Sequence, residues 1–136
     1  MWLAAATTAL AVVAYFQISA ARKENRQTQT LLACGQYDTS QLIFDCVKTI
    51  RKALENKTLR RKAKAHRREI ITVLNFLDAI AIGIEQKLYV ESLARGHLEA
   101  IVKRHVSELI DSGITEAADC PRENWSRLIK LRDEWS

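Results

Sequence analysis

The chain opens with a stretch of uncharged, mostly apolar residues and continues with an amphipathic, highly charged remainder. Residues 1–21 contain no Asp, Glu, Lys or Arg. As an α-helix this stretch would be roughly 30 Å long at about 1.5 Å per residue, which matches the hydrocarbon core of a bilayer. Arg22, Lys23 and Arg26 follow at once, against one acidic residue, Glu24. The pattern predicts a transmembrane helix over residues 1–21 and a separate domain over residues 22–136.

The placement of positive charge around this stretch predicts its orientation. Before the apolar run there is no positive charge beyond the terminal amine, whereas a basic cluster comes directly after it. The positive-inside rule then places the N-terminus outside and the domain on the cytoplasmic side. A cleaved signal peptide is the alternative, because Ser19-Ala20-Ala21 resembles a cleavage site. Signal peptides, however, carry their positive charge before the apolar core, so the sequence favours a single-pass anchor.

The polar remainder begins with a continuation of the anchor helix. Residues 22–33 fit such a continuation, and Gly35 predicts its end. Thr39 or Ser40 is a suitable cap for a second helix. The apolar positions of that helix follow helical spacing, and they are Ile43, Val47, Ile50 and Leu54.

The segment from Ile70 to Leu88 is apolar nearly all round, which predicts a helix at the centre of a bundle. A further helix is expected over about 90–110, with Gly113 as its stop. The last helix is expected to start near Pro121. Its apolar side carries Trp125, Leu128, Leu131 and Trp135. The chain therefore predicts an all-α fold, in which a single N-terminal transmembrane helix carries a compact cytoplasmic bundle of four or five helices.

Composition agrees with this fold and indicates the kind of partner. Glycine (4) and proline (1) are scarce, which favours few turns and long helices. The net charge of +5 favours anionic lipid headgroups or nucleic acid as partners. A basic surface run is predicted from Arg60, Arg61, Lys62, Lys64, Arg67 and Arg68. The cysteines Cys34, Cys46 and Cys120 are odd in number and lack paired spacing, which favours reduced thiols.

The anchor itself is rich in small residues. Ala5 and Ala9 form a small-xxx-small pair of the kind that lets helices approach closely in lipid, and Gln17 is a polar group near the inner edge of the span. Together they predict a homo-oligomer in which these three residues line a helix contact or a water-filled path. An unassociated single anchor is the alternative.

Few residues suggest chemistry. Asn75 and Asp78 stand one turn apart on the central helix, and we interpret them as a polar clamp whose buried carboxylate is paired, hydrogen-bonded or protonated. A catalytic carboxylate is the alternative. The candidate partners are Arg95, Arg104, Arg132 and His105, of which His105 is expected in the core and His97 at the surface. The pair Arg61 and His66 has the R-x4-H spacing of the HEPN-fold ribonucleases, where histidine and arginine act on an RNA phosphate. No metal-ligand spacing or cofactor motif is seen, so the sequence predicts neither metal nor cofactor.

Two longer motifs resemble a known family. They are ITVLNFLDAIAIGI from Ile71 to Ile84, and WSRLIKLRDEW from Trp125 to Trp135. Both are similar to short bacterial and phage proteins grouped as domain-of-unknown-function family 4760, often with an N-terminal membrane helix, although Asp78 stands where that family is expected to have Glu. The resemblance implies a helical domain at a bacterial inner membrane. The layout also resembles the membrane accessory proteins of type VI-B CRISPR systems, which implies a ring-shaped pore.

Three functions follow as hypotheses. The preferred one is a membrane-anchored homo-oligomer, a pore-like or membrane-perturbing factor in phage defence or exclusion. The second is a membrane-tethered HEPN-like ribonuclease that uses Arg61 and His66. The third is a non-catalytic scaffold that recruits a cytoplasmic protein or an RNA through its basic surface. Enzymatic activity is the less favoured interpretation, because no set of residues here indicates a complete reaction.

Overall fold

The computed structural model describes residues 2–136, and across that range every regular element is a helix. The α-helices are α1 (Trp2–Thr39), α2 (Gln41–Glu55), α3 (Arg67–Glu85), α4 (Glu91–His105), α5 (Ile114–Ala117) and α6 (Ser126–Trp135). A π-helix, Val106–Asp111, continues α4, and a 3-10 turn, Arg122–Trp125, precedes α6. The predicted all-α fold, a long apolar N-terminal helix followed by a helical bundle, is confirmed.

Helix α1 is about 57 Å long at about 1.5 Å per residue and crosses the predicted boundary at residues 21 and 22 without a break. The predicted end near Gly35 is wrong, because the helix continues to Thr39. Glycine ends a helix when it adopts a positive φ, but Gly35 stays helical and the turn that follows packs Tyr37 against the core. Ser40 ends α1 instead, with φ −74° and ψ 119°, and its hydroxyl accepts the Ile43 N–H (3.4 Å) to cap α2.

Helix α3 is the central helix that its pattern predicts. Its inward positions are fully or nearly fully buried, namely Ile70, Val73, Leu74, Leu77, Ile80 and Ala81. The helix ends at Glu85, however, so the predicted extension to Leu88 is wrong, and Leu88 is 58% exposed. Lys87 adopts the left-handed conformation (φ 60°), and the Gly83 carbonyl accepts the Leu88 N–H (2.8 Å). This is a Schellman ending with lysine in the position that glycine usually occupies.

The C-terminal half completes the bundle around α3. After the π-helix, Gly113 takes a φ of 82° and ends the segment, as predicted. The predicted apolar side of the last helix lies in the core, with Trp125 and Trp135 each 1% exposed. Leu128 and Leu131 are buried beside them. Helix α6 therefore closes the bundle against α3 and α4.

The loop between α3 and α4 is fastened to α1 just beyond the apolar stretch. The Val90 N–H donates to the Thr30 hydroxyl (2.8 Å), and that hydroxyl donates to the Arg26 carbonyl (2.6 Å). The Arg26 guanidinium donates to the Tyr89 carbonyl (3.2 Å). Thr30 is completely buried. These bonds connect the bundle to the part of α1 that follows the apolar stretch.

Candidate membrane-anchoring site

The N-terminal part of α1 projects from the bundle with its apolar side chains uncovered. Residues 3–26 are all exposed, and Leu3, Leu10 and Phe16 have 85%, 70% and 65% of their surface accessible. It is the one helix in the described chain that is long and apolar enough to cross a membrane. Isolated exposed leucines are ordinary, but a continuous exposed apolar helix requires lipid or protein to cover it.

The two threonine hydroxyls of this stretch are satisfied by the helix itself. The Thr7 hydroxyl donates to the Leu3 carbonyl (2.7 Å), and the Thr8 hydroxyl donates to the Ala4 carbonyl (2.9 Å). Such bonds remove the need for water around a threonine in hydrocarbon. The predicted contact residues Ala5, Ala9 and Gln17 are exposed as well, so no part of the same chain covers them.

The predicted basic run spans the link between α2 and α3 and the first two residues of α3, and half of its cations have partners within the chain. Arg60 donates to the Ser112 carbonyl, and the Arg67 Nε donates to the Ala118 carbonyl (3.1 Å). Lys64 is 3.5 Å from a carboxylate oxygen of Asp119. These contacts pin the link to the segment around α5. All six residues are exposed, and Arg61, Lys62 and Arg68 differ in having no side-chain hydrogen bond or ion pair among the described residues.

Arg61 and His66 belong to the same link between α2 and α3. His66 is half-buried and lines a shallow groove together with Lys52, Asn56 and Lys62, whereas Arg61 is not among its lining residues. The segment from 57 to 66 consists of turns, and helix α3 begins only after His66. The Arg61–His66 pair therefore stays a hypothesis drawn from the sequence.

Asn75 and Asp78 connect α3 to the C-terminal helix. The Asn75 side-chain oxygen accepts the Trp125 indole N–H (3.0 Å), and Asp78 accepts the backbone N–H of Leu128 (3.1 Å) in the first turn of α6. Burial raises the pKa of the Asp78 carboxyl, and the Leu128 N–H and the Arg127 charge partly offset that effect. The predicted charged partner is wrong, because a helix N-terminus takes its place. The four residues predicted as partners of Asp78 make other contacts. Arg95 binds Glu99 and Arg132 binds Asp111, whereas Arg104 and His105 both contact the Tyr37 hydroxyl.

Tyr37 and Arg104 form a polar cluster with His105, where α4 passes into the π-helix. As predicted, His105 lies in the core, at 1% exposed. Its Nε2 is 2.7 Å from the Tyr37 hydroxyl, which also accepts a bond from Arg104 (3.2 Å), while its Nδ1 has no protein partner. Burial, followed by the charges of Arg104 and Arg51, lowers the pKa of His105 to about 4. The imidazole is therefore neutral at physiological pH.

The Tyr37–His105 contact was missed by the sequence analysis. The two residues are 68 positions apart, and the helix end predicted at Gly35 left Tyr37 outside the helix.

Nothing in residues 2–136 groups three His, Cys, Asp or Glu side chains closely enough to hold a metal ion. Burial also raises the pKa of the Cys34 thiol to about 11, so that thiol stays protonated and unreactive.

Comparison with known proteins gives the chain a family. Neither a search of curated proteins nor a search of solved structures found a match. The profile of the family described as Domain of unknown function (DUF4760) matches residues 4–135, which includes the apolar part of α1 as well as the bundle. The match therefore covers nearly the whole chain, and this protein is a member of the DUF4760 family.

Proposed function

We propose that this chain is a membrane-anchored homo-oligomer whose helical domain works at the cytoplasmic surface of a bacterial inner membrane. The observation that carries the proposal is the apolar part of α1, which the rest of the described chain leaves uncovered. Lipid covers most of that surface, and the small-residue face around Ala5 and Ala9 is suited to a second copy. The basic residues that follow the span set its orientation.

The continuous α1 supports a mechanism in which the domain and the membrane segment act as one body. Because Arg26 and Thr30 are bonded to the α3–α4 loop, any tilt or rotation of the bundle turns the membrane helix with it. Several anchors brought together would rearrange when their domains bind a ligand or partner. Such an assembly would perturb the membrane, and Gln17 would then face a water-filled path between helices. We extend this proposal to a role in phage defence or exclusion.

The experiment compares two matched substitutions in the anchor. Ala9→Leu blocks the small-residue face, whereas Ala14→Leu adds the same bulk about 140° away around the helix, at about 100° per residue. The full-length proteins are purified in detergent, and their oligomeric state is measured by analytical ultracentrifugation. Wild type and Ala14→Leu are expected to associate, and Ala9→Leu to sediment as a monomer. Monomeric wild-type protein would contradict the proposal.

Membrane perturbation is tested separately by dye release from liposomes that contain the full-length protein. Release above the level of protein-free liposomes is expected for wild type, and its loss is expected for Gln17→Leu. Oligomers that release no dye would keep the anchored assembly but exclude the pore-like activity.

A scaffold function is the second candidate, favoured by three exposed cations of the basic run, Arg61, Lys62 and Arg68. Their side chains have no hydrogen bond or ion pair within residues 2–136, in contrast to those of Arg60, Lys64 and Arg67. Replacing these three residues by Gln is expected to abolish capture of a cytoplasmic protein or RNA while the protein stays in the membrane. Unchanged capture would exclude this candidate, and RNA cleavage lost on His66→Ala would instead favour the ribonuclease hypothesis.

A further inference from the structure

A groove lies between α1 and the α3–α4 loop, immediately after the apolar stretch. Its α1 wall includes Arg22, Arg26 and Gln29, and its loop wall consists of Lys87, Leu88 and Tyr89. The volume is about 440 Å³, and the groove is open to the exterior. We call it the neck groove.

The neck groove is a rigid feature of the fold. Its loop wall is fixed to α1 by the bond from Arg26 to the Tyr89 carbonyl and by the bond from the Val90 N–H to Thr30. At its other end the loop is held by the Gly83 carbonyl, which accepts the Leu88 N–H (2.8 Å). A ligand therefore meets walls that are already in place, which lowers the entropic cost of binding.

The position of the neck groove along α1 places it at headgroup depth if the apolar stretch is in a bilayer. Arg22 is the first charged residue after that stretch, and the segment from Arg22 to Gln29 rises about 10 Å along the helix axis. The polar layer on each side of a bilayer is roughly 5–8 Å thick. The groove thus begins where the hydrocarbon ends and extends through the headgroup layer.

The chemistry of the neck groove fits an anionic amphiphile. Three cations, Arg22, Arg26 and Lys87, line it, and no acidic residue is among its lining residues in the described chain. Beside them Leu88 leaves 58% of an apolar side chain exposed. Guanidinium and ammonium groups bind phosphate oxygens strongly. A soluble phosphate would satisfy the cations but would leave Leu88 uncovered, whereas a lipid satisfies both.

We infer that the neck groove binds the phosphate headgroup of an anionic phospholipid, with Leu88 in contact with the glycerol and the upper acyl chain. The inference rests on the membrane anchoring proposed above and names a partner for it. A lipid held here fixes the tilt of the bundle relative to the bilayer, because both walls of the groove are rigid. The kind of lipid that occupies the groove then affects the tilt of the domains relative to the bilayer.

The test uses full-length protein in neutral detergent, with bound lipids counted by native mass spectrometry. Phosphatidylglycerol and phosphatidylcholine are titrated separately into wild type and two matched double variants. Arg22→Gln with Lys87→Gln removes one arginine and one lysine from the groove. The link variant combines Lys57→Gln, in the α2–α3 link, with Arg122→Gln and removes the same charges from residues that do not line the groove; Lys57, like Lys87, has a positive φ (55°). Both double variants therefore lose the same charge, and each replaces one lysine that has a positive φ.

Wild type is expected to bind phosphatidylglycerol in preference to phosphatidylcholine. One basic residue near an anionic surface contributes about fivefold in affinity, so the groove variant is expected to lose roughly 25-fold for phosphatidylglycerol. Its affinity for phosphatidylcholine should be unchanged, and the link variant should stay within about twofold of wild type. The single substitution Lys87→Glu at this exposed site provides a second measurement and is expected to weaken phosphatidylglycerol binding in the same direction.

Three results would overturn the inference: an equal loss in the link variant, no loss in either groove variant, or displacement of the lipid by equimolar glycerol phosphate. The last result would assign the groove to a soluble anion. Membrane association of the same proteins is measured separately by pelleting with native membranes. If wild type does not pellet, the proposed anchoring itself fails. If all variants pellet but lipid selectivity is unaltered, only the groove assignment fails.

Discussion

The buried histidine predicts a measurable dependence of stability on pH. His105 is fully enclosed and neutral, since burial and the nearby charges of Arg104 and Arg51 lower its pKa to about 4. In the unfolded chain the imidazole regains an ordinary pKa of about 6.5. Between these two values the unfolded state binds a proton that the folded state does not bind. The free energy of unfolding therefore falls as the pH is lowered through this window.

The size of the effect follows from the two pKa values. The full window from about 6.5 to about 4 corresponds to about 3 kcal/mol at about 1.4 kcal/mol per pH unit. Between pH 7 and pH 5 the contribution of His105 is about 2 kcal/mol. That is a large part of the 5–15 kcal/mol typical of a folded domain. Below pH 4 both states carry the proton, and the loss attributable to this residue is complete.

The assay is urea unfolding of full-length protein in mild detergent, followed by the fluorescence of the buried Trp125 and Trp135. His105→Gln places an amide near Tyr37 that carries no charge at any of these pH values. This variant is expected to be less stable than wild type at pH 7, but to lose about 2 kcal/mol less on going to pH 5. His97→Gln, which removes an exposed histidine, serves as the control and should retain the wild-type slope. A His105→Gln variant with the full wild-type slope would refute the reasoning.

Three further predictions concern packing, capping and thiol reactivity. Gly83→Ala places a Cβ 2.3 Å from the Tyr89 ring and is expected to lower the free energy of unfolding by about 1–3 kcal/mol. Gly96→Ala, with nothing within 4 Å of its new Cβ, is expected to raise it by about 0.5–1 kcal/mol. Equal effects of the two substitutions in thermal melts would contradict this contrast. Asp78→Ala removes the acceptor for the α6 amide and should cost about 1 kcal/mol in urea unfolding, and Asp78→Asn about half as much; if Asn is as damaging as Ala, the charge matters more than the bond. Cys34 should react with a thiol-specific reagent only after denaturant is added, and rapid labelling of the folded protein would contradict its burial in the core.

The helical core was predictable because its signal is local. The spacing of apolar residues alone identified α3 as central and the Trp125–Trp135 segment as a packed face. Helix ends were less predictable, because three helices end on left-handed residues that are not glycine, namely Lys57, Lys87 and Asp119. Lysine at such a position gives no sequence signal, and the bonds that stabilise it form only when the turn is complete.

The candidate site was predictable only where it depends on composition. The uncharged run and the cations after it are visible in any reading of residues 1–26, and the structure leaves that run uncovered. The neck groove was not visible, because Lys87 and Leu88 come to lie beside Arg22 only through the folding of the bundle. The capping role of Asp78 was hidden for the same reason, since its partner is a backbone N–H 50 residues away.

The crossing of a lipid bilayer by α1 is measured most directly by one fractionation. Membranes from cells that express the full-length chain are washed with alkaline carbonate, which releases peripheral proteins, and are then treated with detergent. If residues 3–21 lie in hydrocarbon, the protein remains in the pellet after carbonate and is released only by detergent. Recovery of a folded, detergent-free protein in the carbonate supernatant would contradict the account.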